Sequence, residues 1–272
     1  MILDENIESV YSAGREMQQV YSYGKLVWEK RPIDYNITPF TVRAVDGGVQ
    51  VWLGKINPDN GKTIYIDIKY SINGGKWINT TSKTIIKLNR NDRVSIISTD
   101  ADFCTVRGDS RWEGMQEIRA LSDISGNIMS LIYGDDFIGQ TVWTKRIIYW
   151  AEDGFFKQCD IRHAKNLILP ATTLSQDAYA DMFSHCVYLE SAPVLPAQTL
   201  VKGCYKRMFY SCGLLNRVKC FATSVKSNTS ISDCISGWLS YTSPTGTFEC
   251  IESFADELLP YIPDTWTVEY LT

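Results

Sequence analysis

Eight cysteines (Cys104, Cys159, Cys186, Cys204, Cys212, Cys220, Cys234, Cys250), two histidines and a few acidic clusters are the residues in this 272-residue chain that could carry chemistry. Structural zinc needs a tetrahedral set of Cys and His ligands at close spacing. No cysteines here stand as CxxC, and His163 and His185 are the only histidines, so no metal and no cofactor are expected. An even cysteine count in a secreted chain suggests disulfides. The opening MILDENIESV lacks the basic start and the roughly 7 to 15-residue apolar run of a secretory signal. The thiols are therefore read as small core hydrophobes.

His185 beside Cys186 has the residue types of a base and a nucleophile. The repeat register described below puts Gln158 and Ser211 in the same slot, which marks it as a variable solvated position. His163, where one extra residue enters the repeat, is expected in a loop. Asp100-Ala-Asp102, Gly134-Asp135-Asp136 and Asp256-Glu257 lack the alternating oxygen ligands and glycine bend of a calcium loop. Gly61-Lys62-Thr63 ends like a phosphate loop, but Ile56 stands where its first glycine belongs, and Lys62-Thr63 opens a strand instead of a helix. No carboxylate pair has recognisable glycosidase spacing. The expectation is a protein with no catalytic residues.

Charge narrows the partners. With 27 basic against 31 acidic residues, the net charge of -4 is not the footprint of a nucleic-acid binder. No apolar run approaches the ~18 residues that span a bilayer, so no membrane insertion is expected. A 44% hydrophobic composition supports a packed core, and the length suits about two globular domains.

Patterning supplies the elements. Val10-Tyr-Ser-Ala-Gly14 and Val20-Tyr-Ser-Tyr-Gly24 form a tandem in which each half reads as a hairpin turning at glycine. Isolated hairpins are marginal in water, so these need a partner surface. Period-two runs follow at Thr41 to Val45, Val49 to Leu53, Thr63 to Tyr70, Lys76 to Thr80, Thr84 to Leu88 and Arg93 to Ser98. They are separated by turn sequences such as Asp46-Gly47-Gly48 and Asn73-Gly74-Gly75, and predict an antiparallel β-sandwich.

Beyond residue 150 the chain repeats itself. Leu169-Pro-Ala-Thr-Thr-Leu174 returns as Leu195-Pro-Ala-Gln-Thr-Leu200, and Met182-Phe-Ser-His-Cys186 as Met208-Phe-Tyr-Ser-Cys212, both after 26 residues. A degenerate copy begins at Phe155-Phe-Lys-Gln-Cys159, so about three units lie between 150 and 226. Each predicts a helical turn or helix, Gln176 to Phe183 in one unit, then a short extended piece. Stacking is expected to set Phe156, Phe183 and Phe209 over one another, and Cys159, Cys186 and Cys212 likewise. Ile128 to Asp136 and the aromatic-rich stretch from Ile235 to Trp266 are expected to seal the ends. Of the aromatic residues, Trp52, Tyr70 and Trp77 on the sandwich and Tyr188 and Tyr210 on the repeats could stack on sugar rings where exposed.

Leu169 to Leu174, Cys204-Tyr-Lys-Arg-Met-Phe-Tyr-Ser-Cys212, Ile124 to Phe137, Ser243 to Phe248 and Ile262 to Val268 together resemble the short leucine-rich repeats of the Treponema or BspA-like type. Such repeats occur in surface proteins of gut bacteria and in virion proteins of their bacteriophages. The likeness covers roughly residues 120 to 270. The N-terminal tandem is similar to VYxxGKLVW elements that open phage structural and fibre proteins. The resemblance implies a mixed, mainly β chain: an N-terminal β-hairpin attachment element (1-32), an antiparallel β-sandwich (33-116) and a capped short leucine-rich-repeat α/β solenoid (117-272). It implies a non-enzymatic virion protein, a head fibre, decoration or tail fibre component, that is assembled in the host cytoplasm without a signal peptide. Val10, Tyr11, Val20, Tyr21, Tyr23, Val27 and Trp28 would dock on other virion proteins. The repeats would meet a host cell-surface protein or glycan, and the chain would be a homo-oligomer, with a trimer as one candidate state. A bacterial surface or mucosal adhesin is the alternative.

Overall fold

A computed structural model of the chain describes residues 10–12, 15–17, 19–22, 25–29, 33–56, 63–65, 67–80, 84–99, 113–143 and 154–271. The chain forms two compact units, Met1–Asp34 and Tyr35–Thr272. In the first, Val10–Ser12 pairs antiparallel with Arg15–Met17, and Gln19–Ser22 with Lys25–Glu29. Strand outweighs helix, 36% to 11%, so the protein is mainly β.

An antiparallel sheet and a mainly antiparallel one lead the second unit. In one, Val49–Ile56 lies between Ile86–Leu88 and Glu113–Arg119 and also pairs with Thr63–Tyr65. The other runs in the order Ile161–Ile168, Ser122–Asn127, Thr41–Ala44, Arg93–Ser98, Ile68–Ile72, Ile78–Thr80. Alternation sends Val49, Val51, Ile86 and Leu88 from the first sheet, and Val42, Ala44, Val94 and Ile96 from the second, into one buried cluster. The single strand expected over Thr63 to Tyr70 is divided. Thr63–Tyr65 joins one sheet and Ile68–Ile72 the other, because the chain crosses between layers there. Strands on both sides of residue 116 share the six-stranded sheet, whose last pairing, Ser122–Asn127 with Ile161–Ile168, is parallel. Parallel pairing then recurs in Val142–Trp143 with Thr173–Leu174, Thr199–Leu200 with Ser224–Val225, and Arg217–Cys220 with Gly246–Ile251 and Trp266–Leu271.

Of the helical turn or helix expected over Gln176 to Phe183, the structure has a run of turns and no helix. The N–H groups of Ala180, Met182, Ser184 and Cys186 donate to the carbonyls three residues back. Those of Asp177, Tyr179, Asp181, Phe183 and His185 donate instead to Lys202, Cys204, Lys206, Met208 and Tyr210 of the next unit. A helix would close every bond within itself. Here alternate N–H groups turn outward because every fourth residue is left-handed: Asp177 (φ 57), Asp181 (φ 54) and His185 (φ 61). The same conformation returns unit by unit in Gln158 (φ 59), His185, Ser211 (φ 59) and Tyr241 (φ 60). Tyr205, Arg207, Phe209 and Ser211 donate in turn to Cys234, Ser236, Trp238 and Ser240, so residues 233–243 form a further stacked unit.

Side chains follow the backbone. Rings of Phe40, Phe156, Phe183 and Phe209 stack at 5.4, 5.4 and 5.7 Å between successive centroids. A second column runs Trp143, Tyr179, Tyr205, Trp238, Phe248. Such pairs contribute about 0.5–1.5 kcal/mol each beyond the area they bury. Leu169, Ala171 and Leu174, their counterparts Leu195, Ala197 and Leu200, and then Cys220 and Ala222 are buried in the same cluster.

Hydrogen-bonded polar groups help to close both ends of the stack. At one end Asn127 caps the 3-10 turn Ile128–Leu131, accepting from the Met129 N–H. Ser130 there accepts from the Phe40 N–H and donates to the Ile96 carbonyl. At the other, the indoles of Trp238 and Trp266 donate to Tyr261 and Ser243 carbonyls.

Truncating the middle of the first ring column, Phe183→Ala, is expected to cost about 3–5 kcal/mol in denaturant unfolding; a loss under about 1 kcal/mol would contradict the packing. The Tyr179 hydroxyl is buried without a partner, and burial pushes its pKa up. Removing a lone buried donor relieves its desolvation. Tyr179→Phe should therefore be neutral or stabilising by about 1 kcal/mol, and a marked loss would show that the hydroxyl has a role.

Candidate functional site

Of the residues expected to dock, Val10 faces Met17 and Tyr11 faces Glu16 in the first ladder, while Val20 faces Trp28 and Tyr21 faces Leu26 in the second. Val27 lies in the strand Lys25–Glu29, and Tyr23 lies outside the described residues. Each ladder has two strands, so among the described residues each strand keeps one edge outside a ladder.

The aromatic candidates separate. Trp52 lies half-buried in the smaller sheet, and Tyr70, in the larger, packs against the core. Trp77 is 40% exposed, with the Lys69 ammonium 5.6 Å from its ring centre and paired to Asp135 at 2.5 Å. Tyr188 is 48% exposed on the turn stack, whereas Tyr210 is half-buried and central.

Around Tyr210 the turn stack assembles a surface. The His185 ring lies 5.4 Å from it and the Tyr241 ring 5.2 Å, edge-on. The Arg207 guanidinium sits 4.8 Å over it. Tyr241 is 72% exposed. Sequence reasoning singled out Tyr210 and missed its neighbours, because their slots are set by backbone conformation. His185 and Tyr241 share one left-handed column, and Arg207 belongs to the next. A left-handed bulky residue is uncommon and costs roughly 1–2 kcal/mol. At Tyr241 that cost places a large ring in solvent.

His185 and Cys186 do not form a base and nucleophile pair. The Cys186 thiol points away from His185, donating to the Phe156 carbonyl at 2.9 Å, and burial pushes its pKa well up. A buried neutral thiol is unreactive. His185 is half-buried on a turn, not a freely solvated helix position, with Nδ1 2.9 Å from the Ser184 hydroxyl. His163, expected in a loop, lies in the strand Ile161–Ile168, where register shifts opposite Ser122, Asp123 and Ser125 absorb the extra residue as a bulge. Seven cysteines, all except Cys104, are free and buried; Cys104 lies outside the described residues, as do Asp100, Asp102 and Lys62. Among the described residues no three His, Cys, Asp or Glu side chains gather as metal ligands. A shallow polar hollow at Asn216, Arg217 and Thr245 to Thr247 has its cation already engaged, by Glu249 at 2.7 Å and Glu269 at 3.4 Å.

Asp181 lies under the aromatic surface. It is buried, and its Oδ1 stands 3.1 Å from Arg207 Nε without hydrogen-bond alignment, so the contact is ionic. Burial raises its pKa above 3.8 against the opposing pull of Arg207, Lys157 and Lys206. Just above 3.8 the folded chain thus keeps a proton that the unfolded chain has released. That contribution is complete below the ordinary value and is lost as pH rises through the folded one. Asp181→Asn, which suits a left-handed slot, is expected to melt above the parent at neutral pH, with the gap closing as pH falls below 3.8. A variant that melts lower at neutral pH would show that the charge is needed.

No protein-family description, no curated protein and no solved structure matches the chain.

Proposed function

We propose that the chain is a non-enzymatic structural protein of a bacteriophage virion, a head fibre, decoration or tail fibre component that docks through residues 1-32 and displays its stacked turns for host-surface attachment. On this reading the region after residue 116 is a capped short leucine-rich-repeat solenoid, built with turns where helices are usual. The observation that carries the proposal is the in-register return of one backbone conformation at Gln158, His185, Ser211 and Tyr241, together with the aromatic side chains it holds outward. Stacked units of this kind present an extended, stiff face, which suits display. The likeness of Leu169 to Leu174 and its companions to repeats of phage virion proteins gives the setting.

Two short ladders with edges outside the described pairing suit docking by strand addition. Several copies on one particle would turn weak contacts into avidity. Deleting residues 1-32 is expected to leave a folded chain that is missing from purified particles; particles carrying the shortened chain at the normal level would refute the docking role. Among the described residues no helix is long and apolar enough to cross a membrane.

A further inference from the structure

We propose that the surface around Tyr210 is a carbohydrate-binding site in which a neutral pyranose stacks on Tyr241 and enters a notch over Gly237. This rests on the display reading above and names the ligand class of the displayed face.

Gly237 occupies the left-handed column of Asp181 and Arg207 (φ 54, 52 and 64 in chain order). In that column Arg207 lies over Asp181 at 3.1 Å. Nothing at position 237 covers Arg207. The surrounding space does not demand this gap, although a side chain at φ 64 carries backbone strain. A Cβ at 237 would meet only Arg207 Cγ at 3.5 Å, Ser240 Oγ at 3.7 Å and Tyr210 Cδ2 at 4.0 Å, which are ordinary contacts. By contrast, a Cβ on Gly154 would fall 1.6 Å from the Asp181 carbonyl oxygen, so there glycine is compulsory. The column also accepts Asp and Arg in the left-handed form, so a side chain at 237 is possible at the cost of that strain. The absent side chain leaves a guanidinium, a hydroxyl and a ring edge converging on one small opening.

The chemistry of that opening suits a sugar. Tyr241 supplies an exposed ring for the C–H face of a pyranose. Ser240 and the free donors of Arg207 suit hydroxyl groups, and the ion pair with Asp181 cancels the net charge that an acidic ligand would seek. Tyr210 is a positioning residue that braces Tyr241, and His185 packs on Tyr210 in turn. A protein partner would favour a broad apolar patch, whereas here polar atoms interleave with the rings.

The test is affinity electrophoresis of the full chain through a mannan, a β-glucan and a galactan, with polygalacturonate as an acidic comparison. Retardation by at least one neutral polysaccharide is expected. Tyr241→Gln copies Gln158 in the same column and so preserves the fold. It should weaken binding by about tenfold or more, as should Gly237→Asn, which fills the notch with a residue that tolerates positive φ. Melting curves close to the parent's would confirm that both variants fold. Retardation by none of the neutral polymers, by polygalacturonate alone, or without change in the two folded variants would overturn the proposal. So would a protein ligand that loses affinity through both substitutions. Because the assay uses the free chain, its failure leaves the particle-location test of the display role unaffected.

Discussion

Alternate backbone N–H groups in the turn segments have no partner within their own unit, and this constraint organises the rest of the second half of the chain. Asp177, Tyr179, Asp181, Phe183 and His185 can satisfy theirs only on the carbonyls of residues 202 to 210, and residues 205 to 211 only on those of 234 to 240. Unpaired buried amides are costly, so each unit must have its neighbour, and in a fixed register. The left-handed residue at every fourth position aims those groups outward. Ring columns then form because residues in register are held at a common spacing, and aromatic side chains fill that spacing at 5.4 to 5.9 Å for Phe156 on Phe183 and Tyr179 on Tyr205.

Strand pairing, ring packing and an ion pair join the sandwich to the stack. The six-stranded sheet is antiparallel from Ile78–Thr80 to Ser122–Asn127 and turns parallel at Ile161–Ile168. Phe40, on the chain entering the strand Thr41–Ala44, supplies the first ring of the column that continues to Phe209. Asp123 fixes the junction by accepting from Arg43 and Arg162. The sandwich thereby covers the outer side of the first unit, whose own outward N–H groups, those of Phe156 and Gln158, donate to the Met182 and Ser184 carbonyls.

Much of this was legible in the sequence, and the failures have physical causes. Thr41 to Val45 and Arg93 to Ser98 read as strands because one face is buried and alternation survives. The 26-residue return of Leu-Pro-Ala and Met-Phe marked the units because identical contacts call for identical residues. A helical turn and a helix both fit the sequence, because Ala178, Tyr179, Met182, Phe183 and Cys186 have the spacing of a helix's buried face. The distinguishing signal was Asp177, Asp181 and His185 at intervals of four, residue types that tolerate positive φ. The unit at 233–243 escaped notice because it follows after about 30 residues, without the Leu-Pro-Ala segment, although Cys234 and Trp238 match Cys204 and Met208. Tyr241 was invisible for the same reason, since only the backbone defines its slot.

The dependence of each unit on the next is tested most directly by native-state amide exchange across the turn segments, comparing the parent with Phe209→Ala. If neighbours hold one another, the amides of Tyr179, Asp181 and Phe183 exchange only through large cooperative openings, and the substitution speeds them although it lies in the following unit. Exchange of those amides through small independent fluctuations, unaltered by the change at Phe209, would contradict the account.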